Sequence, residues 1–348
     1  MNHTSIPTVS PLNLESKAAI QHKIDQKIKP VGSLGLLESI ALKVALIQET
    51  EAPEISNPHL FVFAADHGIT AEGVSPFPSE VTPQMVLNFL SGGAGINAFA
   101  NRHGWSLKVV DAGVNFDFEA HPLLVDAKVK KGTGNFLKAP AMSESECLSA
   151  FVKASALVQE AKEAGANTIA FGEMGIGNTT TASLLMAKVL GLSGTECAGK
   201  GTGANEAIVA RKAEVIDLAL EKYADLKDPL AILSAMGGLE IAMVCGAMLE
   251  AAAQRMLIVV DGFIITSALL MAEQLCPEVL DYCVFAHQSN EQGHQKMLKH
   301  FNATPILQLG LRLGEGTGAA LALPMIQSAV DFLNQMNSFE TGGVATGE

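Results

Sequence analysis

Three glycine-rich segments hold the polar residues whose types and spacing suggest chemistry. The first runs Gly172-Glu173-Met174-Gly175-Ile176-Gly177-Asn178-Thr179-Thr180-Thr181. Its glycines let a backbone approach a ligand closely, and it opens a helical pattern over 179–189. Free N–H groups and the dipole at a helix start attract phosphate. The bland alternative is a tight turn with a threonine-rich cap. A Walker phosphate loop is excluded, because no Gly-Lys-Ser/Thr ending follows. The second segment, Gly199-Lys200-Gly201-Thr202-Gly203, precedes Asn205 and then Arg211-Lys212. It could wall the same anion site, with Lys200 or Lys212 as the cation, or be an ordinary loop before a helix.

The third segment is Arg312-Leu313-Gly314-Glu315-Gly316-Thr317-Gly318, which continues into the apolar run Ala319-Ala320-Leu321-Ala322-Leu323-Pro324. A carboxylate in apolar surroundings is costly unless it is paired or working. Burial would raise its pKa toward the range useful to a general base. The alternative is an Arg312–Glu315 structural pair. Asp66-His67-Gly68 and Glu72 admit acid–base work or a structural pairing. His287 and His294, seven apart, could share a helix face, but no metal-ligand motif surrounds them. No metal site and no cofactor are expected.

These residues need elements to hold them. Short apolar runs recur at 60–64, 107–110, 168–171, 257–260 and 282–285, each ending in an acid or a small residue. They show little alternation, which suits strands buried on both faces of a parallel sheet. Helical patterns lie between them, among them 147–164 closed by Gly165, and 206–222 with Asn205 as N-cap. Strand–helix alternation predicts an α/β fold with crossover helices. In such sheets ligands sit beyond the carboxyl ends of the strands. That rim holds Asp66-His67-Gly68, Asp111-Ala112-Gly113, Gly172 to Gly175, Asp261-Gly262 and Ala286-His287. Residues 56–320 read as the large domain. Residues 1–55 and 321–348 read as a smaller helical subdomain, and the tail Thr-Gly-Gly-Val-Ala-Thr-Gly-Glu as disordered.

Composition narrows the class. The 348 residues are 48% hydrophobic and 17% charged, too apolar for a disordered chain. A compact chain of this size hides roughly 75% of its unfolded surface. The net charge is −13 and no basic block occurs, which argues against a nucleic-acid or anionic-membrane partner. A small anionic ligand needs only a few local cations. The N-terminus lacks a charged-then-apolar leader, and the uncharged run 81–101 is broken by polar residues and glycines, so no membrane span is expected. Five scattered cysteines with no C-x-x-C suggest reduced thiols in a cytoplasmic protein.

Several stretches taken together resemble one family, the nicotinate-nucleotide–dimethylbenzimidazole phosphoribosyltransferases of cobalamin lower-ligand assembly. They are Lys29 to Gly35 with Leu37-Glu38, Ala65 to Ile69, Glu72 to Ser75, Pro78, Glu80 to Thr82, Gln84 to Val86, Gly92 to Ala94 with Ile96-Asn97, Gly172 to Thr180, Gly237 to Glu240, Val260 to Phe263 and Arg312 to Gly318. They fall in family order from about residue 29 to residue 325. Each motif alone is weak; the set is specific. A Rossmann-type oxidoreductase is set aside because no G-x-G-x-x-G follows the first strand.

The resemblance implies a Rossmann-like, mostly parallel sheet with helices on both faces, and a small helical subdomain made from the chain ends. It implies transfer of the 5-phosphoribosyl group of nicotinate mononucleotide to 5,6-dimethylbenzimidazole, with inversion at C1′ and release of nicotinate. Glu315 matches the general base. Glu173 matches a partner of the ribose. Gly175, Gly177, Asn178, Thr179, Gly201 and Lys212 match phosphate and ribose contacts. Ser75, Phe77, Gln84, Met85 and Leu313 look like the pocket for the flat base, where methionine adapts to aromatic rings; Phe77 and Met85 could also be plain core. The partners implied are these small molecules and a second copy of the chain, since the family forms dimers. The apolar stretches 237–254 and 263–275 could supply that interface or cover the sheet. Two positions depart from the family pattern: Leu36 stands for an expected Arg, and Phe77 for a frequent Tyr. A non-catalytic nucleotide carrier on the same fold is the competing reading, and Glu315 argues against it.

Overall fold

The computed structural model describes residues 6–201 and 203–345. Six parallel strands form one sheet: β1 (His59–Ala65), β2 (Ser106–Gly113), β3 (Leu124–Asp126), β4 (Thr168–Met174), β5 (Leu257–Val260) and β6 (Cys283–Phe285). Their order is β3-β2-β1-β4-β5-β6. The order reverses between β1 and β4, so the crevice outside their carboxyl ends is the expected ligand site. β1 is buried at every residue after His59. An unalternating strand of this kind requires cover on both faces.

The five apolar runs fall on five of the strands, and every pairing is parallel. β3 has no counterpart among those runs. It is three residues long and pairs only with β2 at the sheet edge. β4 also runs further than its apolar run: Glu173 pairs opposite Phe63 and Met174 opposite Ala64. A glutamate expected on a loop therefore stands on the last rungs of a central strand.

Helices fill the crossovers. They are α1 (Lys17–Asp25), α2 (Leu36–Ile47), α3 (Val81–Leu90), α4 (Gly95–His103), α5 (Glu144–Glu163), α6 (Asn178–Leu190), α7 (Gly194–Cys197), α8 (Glu206–Lys222), α9 (Pro229–Met236), α10 (Leu239–Ala253), α11 (Phe263–Leu275), α12 (His294–His300), α13 (Thr317–Gln335) and α14 (Phe339–Gly342). α8 keeps the expected bounds, and the Asn205 side chain accepts from the Ile208 N–H at 2.9 Å. α5 starts earlier than its apolar pattern, because Ser143 and Glu146 form a capping box ahead of it. α10 packs on α5, α11 and four strands, and its residues 239–252 are all buried. A helix buried all round is core. Most of α11 is buried too, so both apolar stretches cover the sheet rather than face a partner.

α13 packs on α2 and α4. The chain ends meet, where Phe339 N–H donates to the Gln26 carbonyl at 3.0 Å and Lys27 Nζ to that of Met336 at 2.7 Å. Of the tail expected to be disordered, Thr341 and Gly342 close α14, and residues 346–348 lie outside the described residues. Among the described residues no helix is long and apolar enough to cross a membrane.

Candidate active site

A cavity of about 350 Å³ opens at the carboxyl ends of β4, β5 and β6. All three glycine-rich segments line it. At the end of β4, Glu173 is buried, and its Oε2 accepts from Asn178 Nδ2 at the start of α6. Gly177 caps that helix with φ +97°. The Gly177 and Thr179 N–H groups make no hydrogen bond to another described residue, and both residues line the cavity.

The cation of this corner is Lys212 on α8. It is buried, with Nζ donating to Thr179 Oγ1 at 3.0 Å and to the Gly199 carbonyl at 3.3 Å. Burial lowers its pKa, and Glu291 nearby opposes the shift. The 199–203 segment is tied across the cavity, since Arg312 Nη1 donates to the Gly201 carbonyl at 3.0 Å. Arg312 makes no ion pair with Glu315 among the described residues, so the structural-pair alternative fails.

Glu315 is held differently. It is 5% exposed and sits at φ +63°, a left-handed conformation unusual for a side chain of this kind. Its carbonyl passes over Gly172 of β4. Its Oε2 accepts from the Ile96 N–H at 3.4 Å, in the first turn of α4, where the helix dipole favours an anion. Burial raises its pKa, the Ile96 N–H opposes this, and the charge of Asp261 adds to it.

Glu173 is raised further. Burial is the main cause, Glu240 and Asp261 add repulsion, Asn178 opposes, and Glu315 adds more. Like charges this close resist ionising together. The sign of the linkage follows: the folded carboxyl holds its proton to higher pH than the unfolded one. Stability is therefore lost as pH rises from the ordinary carboxyl range toward the folded value. Glu173→Gln should melt at a higher temperature than the wild type at pH 8, with the gap shrinking by pH 4. Scanning calorimetry at the two values checks this, and a pH-independent gap would contradict it.

Ser75, Phe77, Met85 and Leu313 line the other side of the cavity, with Val74, Pro76 and Val81. Phe77 is 44% and Leu313 51% exposed. Large apolar side chains left open at a cavity edge suit a flat apolar ligand; Phe77 is not core. Gln84 is not among the lining residues. It lies on the exposed face of α3, one position before Met85.

Met174, Asp261 and His287, expected on the rim without an individual role, line the cavity, and so do Ser289 and Glu291, which sequence reasoning missed. Asp261 and His287 stand at strand ends, as the rim argument allows; Asp261 Oδ1 accepts from the Ala319 N–H at 2.9 Å and lies 3.6 Å from His287 Nε2. Ser289 and Glu291 belong to a polar block after β6 whose only sequence signal was its flanking histidines. Those histidines do not share a helix face. His294 opens α12, whereas His287 bridges Leu307. Among the described residues no three His, Cys, Asp or Glu are grouped to hold a metal ion.

His67 has the partners of a hydrolytic triad. Nε2 meets Glu240 Oε1 at 2.6 Å, and Nδ1 meets Thr181 Oγ1 at 3.0 Å. All three are buried and none lines the cavity. The three side chains lie outside the cavity wall, and His67 packs against the 175–177 loop, where a Cβ on Gly175 would lie 3.2 Å from its Nε2.

A family model described as Phosphoribosyltransferase matches residues 9–344. A nicotinate-nucleotide–dimethylbenzimidazole phosphoribosyltransferase from Dechloromonas aromatica is 51% identical over 335 residues, covering 95% of this chain and 96% of the relative. One from Cupriavidus necator is 50% identical over 340 residues, 98% of each. The crystal structure of CobT from Thermus thermophilus superposes with a TM-score of 0.93 at 40% identity, over 96% of this chain and 100% of that one. Sheet, cavity and matches define an α/β enzyme of phosphoribosyl transfer. Within that class the chain belongs to the nicotinate-nucleotide–dimethylbenzimidazole phosphoribosyltransferase family.

Proposed function

We propose that this enzyme transfers the 5-phosphoribosyl group of nicotinate mononucleotide to 5,6-dimethylbenzimidazole, inverting C1′. The products are nicotinate and α-ribazole 5′-phosphate. The observation that carries the reading is Glu315, a buried carboxylate beside the apolar wall of Phe77, Met85 and Leu313, with only the Ile96 N–H donating to it among the described residues.

The chemistry follows from the groups present. One ring nitrogen of benzimidazole attacks C1′ with its lone pair. The bond from C1′ to the pyridinium nitrogen breaks, and its electron pair neutralises that nitrogen. The proton on the second benzimidazole nitrogen must leave, and Glu315 accepts it. Attack in line requires base and nucleotide on opposite faces of the ribose, as the two walls of the cavity allow. The 5′-phosphate takes the α6 start and the corner of Gly175, Gly177, Asn178, Thr179, Gly201 and Lys212. Glu173 accepts from ribose hydroxyls and stabilises positive charge developing on the ring. Ser75, Phe77, Met85 and Leu313 hold the base; Gln84 belongs to that set by resemblance alone. A homodimer in the cytoplasm accords with the resemblance, and its interface must use a surface other than α10 and α11.

A chromatographic assay tests the reading. Purified protein is mixed with nicotinate mononucleotide and 5,6-dimethylbenzimidazole without added metal. Nicotinate and α-ribazole phosphate should appear in equal amounts. Turnover only with adenine or a phenol would keep the chemistry and reassign the base. Nucleotide binding without turnover on any base would overturn the reading. Lys212→Met should raise the nucleotide KM at least tenfold, because it removes the one buried cation of the corner among the described residues. An unchanged KM would remove Lys212 from the phosphate site.

A further inference from the structure

His294 lies outside the cavity, fully buried, and nothing in the proposed chemistry uses it. Its hydrogen bonds fix where its proton sits. The Ser289 N–H donates to Nδ1 at 2.8 Å, so Nδ1 must present a lone pair. The proton is then on Nε2, which donates to Thr266 Oγ1 at 3.0 Å. The Thr266 hydroxyl in turn donates to the Gly262 carbonyl at 2.7 Å. Every donor in this chain has one acceptor and the direction is the same throughout. An imidazolium would put two N–H groups face to face at Ser289. Burial, and then the neighbouring His287, hold the His294 pKa down at about 3.

The chain of bonds ends on cavity wall at both ends. Gly262 and Ser289 line the cavity, as does Glu291, whose N–H donates to Ser289 Oγ at 3.3 Å. The Glu291 carboxylate crowds Gly199 in the loop beside Lys212. The segment from Ser289 to Glu291 therefore walls the phosphate corner, and one backbone N–H of that segment is anchored on an imidazole.

We propose that His294 is a positioning residue: as a neutral Nε2–H tautomer it fixes the Ser289–Glu291 wall against the nucleotide end of the cavity. The proposal rests on the reading of that corner as the nucleotide site. What matters in it is the acceptor at Nδ1, which sets the wall, and not the donor at Nε2, which only holds the tautomer.

Two substitutions separate these atoms. Asparagine at 294 can put its side-chain oxygen near the Nδ1 position and accept from Ser289; glutamine reaches toward the Nε2 position and supplies no acceptor there. His294→Asn should keep the nucleotide KM within about threefold, while His294→Gln should raise it about tenfold, the loss of one hydrogen bond of about 1.4 kcal/mol. The KM for the base and kcat should move less than threefold in either. The reverse ranking, or a fall in kcat with comparable rises in both KM values, would overturn the proposal. The tautomer is read independently in the wild-type protein from long-range ¹H–¹⁵N spectra after histidine labelling; an imidazolium or an Nδ1–H form at pH 6 would also overturn it. If the wild-type protein shows no turnover, the functional reading falls. The same Asn-over-Gln ranking in calorimetric affinity for nicotinate mononucleotide then decides the role of His294.

Discussion

Glu315→Gln should lower turnover about 10³-fold while leaving affinity for nicotinate mononucleotide within a factor of two. General bases contribute about 10²–10⁴-fold, and the amide keeps the shape and the acceptor for Ile96 while losing the basicity. The wild-type kcat should rise with pH, with a midpoint above the ordinary carboxylate range, since burial and Asp261 raise this carboxyl and only its ionised form accepts the proton. The variant should lose that limb of the profile. Rapid-quench product formation against pH, with calorimetric nucleotide binding alongside, makes the measurement. Turnover within tenfold of wild type would remove Glu315 as the base.

The backbone at the same residue adds a second handle. At φ +63° Glu315 accepts a conformation that costs about 1 kcal/mol relative to glycine. The buried carboxyl also costs stability once pH exceeds its ordinary range, because its folded pKa is raised. Both costs are relieved in Glu315→Gly, which should melt higher than Glu315→Ala and remain inactive. Strain and desolvation stored at one carboxylate are expected where function, and not stability, sets the residue.

This explains what the sequence could and could not reveal. Burial on both faces writes itself into a strand as an unbroken apolar run, so β1, β2, β4, β5 and β6 were readable and the three-residue edge strand β3 was not. Caps are local, so Asn205 was readable as the start of α8. The glycine-rich corner was readable as cavity wall, because glycines and helix starts announce a close backbone approach. Ser289, Glu291 and His294 were not, because their order depends on a bond between a loop N–H and an imidazole five residues on, and on Thr266 from another helix. Gln84 stands apart from its neighbour: it lies on the exposed face of α3, while Met85 lines the cavity.

Gly172→Ala should cost about 10²-fold in kcat without touching a reacting atom. A Cβ there would lie under 3 Å from the carbonyl carbon and oxygen of Glu315 and 2.6 Å from the Gly316 nitrogen, and no rotamer can relieve a clash at Cβ. β4 cannot retreat, because Gly172 is paired opposite Val62 in the middle of the sheet. The 314–316 loop must yield, and it carries Glu315, the proposed base. A shift of about 1 Å in a catalytic group costs about 10²-fold, and forcing atoms into a packed interior costs about 1–3 kcal/mol. Gly165→Ala is the control: it has φ +89° but open space around a Cβ, so it should lose stability by about 1 kcal/mol and keep its activity. The decisive comparison is the double variant. If Gly172 acts by holding Glu315 in place, adding Gly172→Ala to Glu315→Gln should lower kcat by less than threefold, since the base whose position it protects is already gone. A full further hundredfold loss would mean that Gly172 supports something other than Glu315, and the close passage of the loop over β4 would then be packing alone.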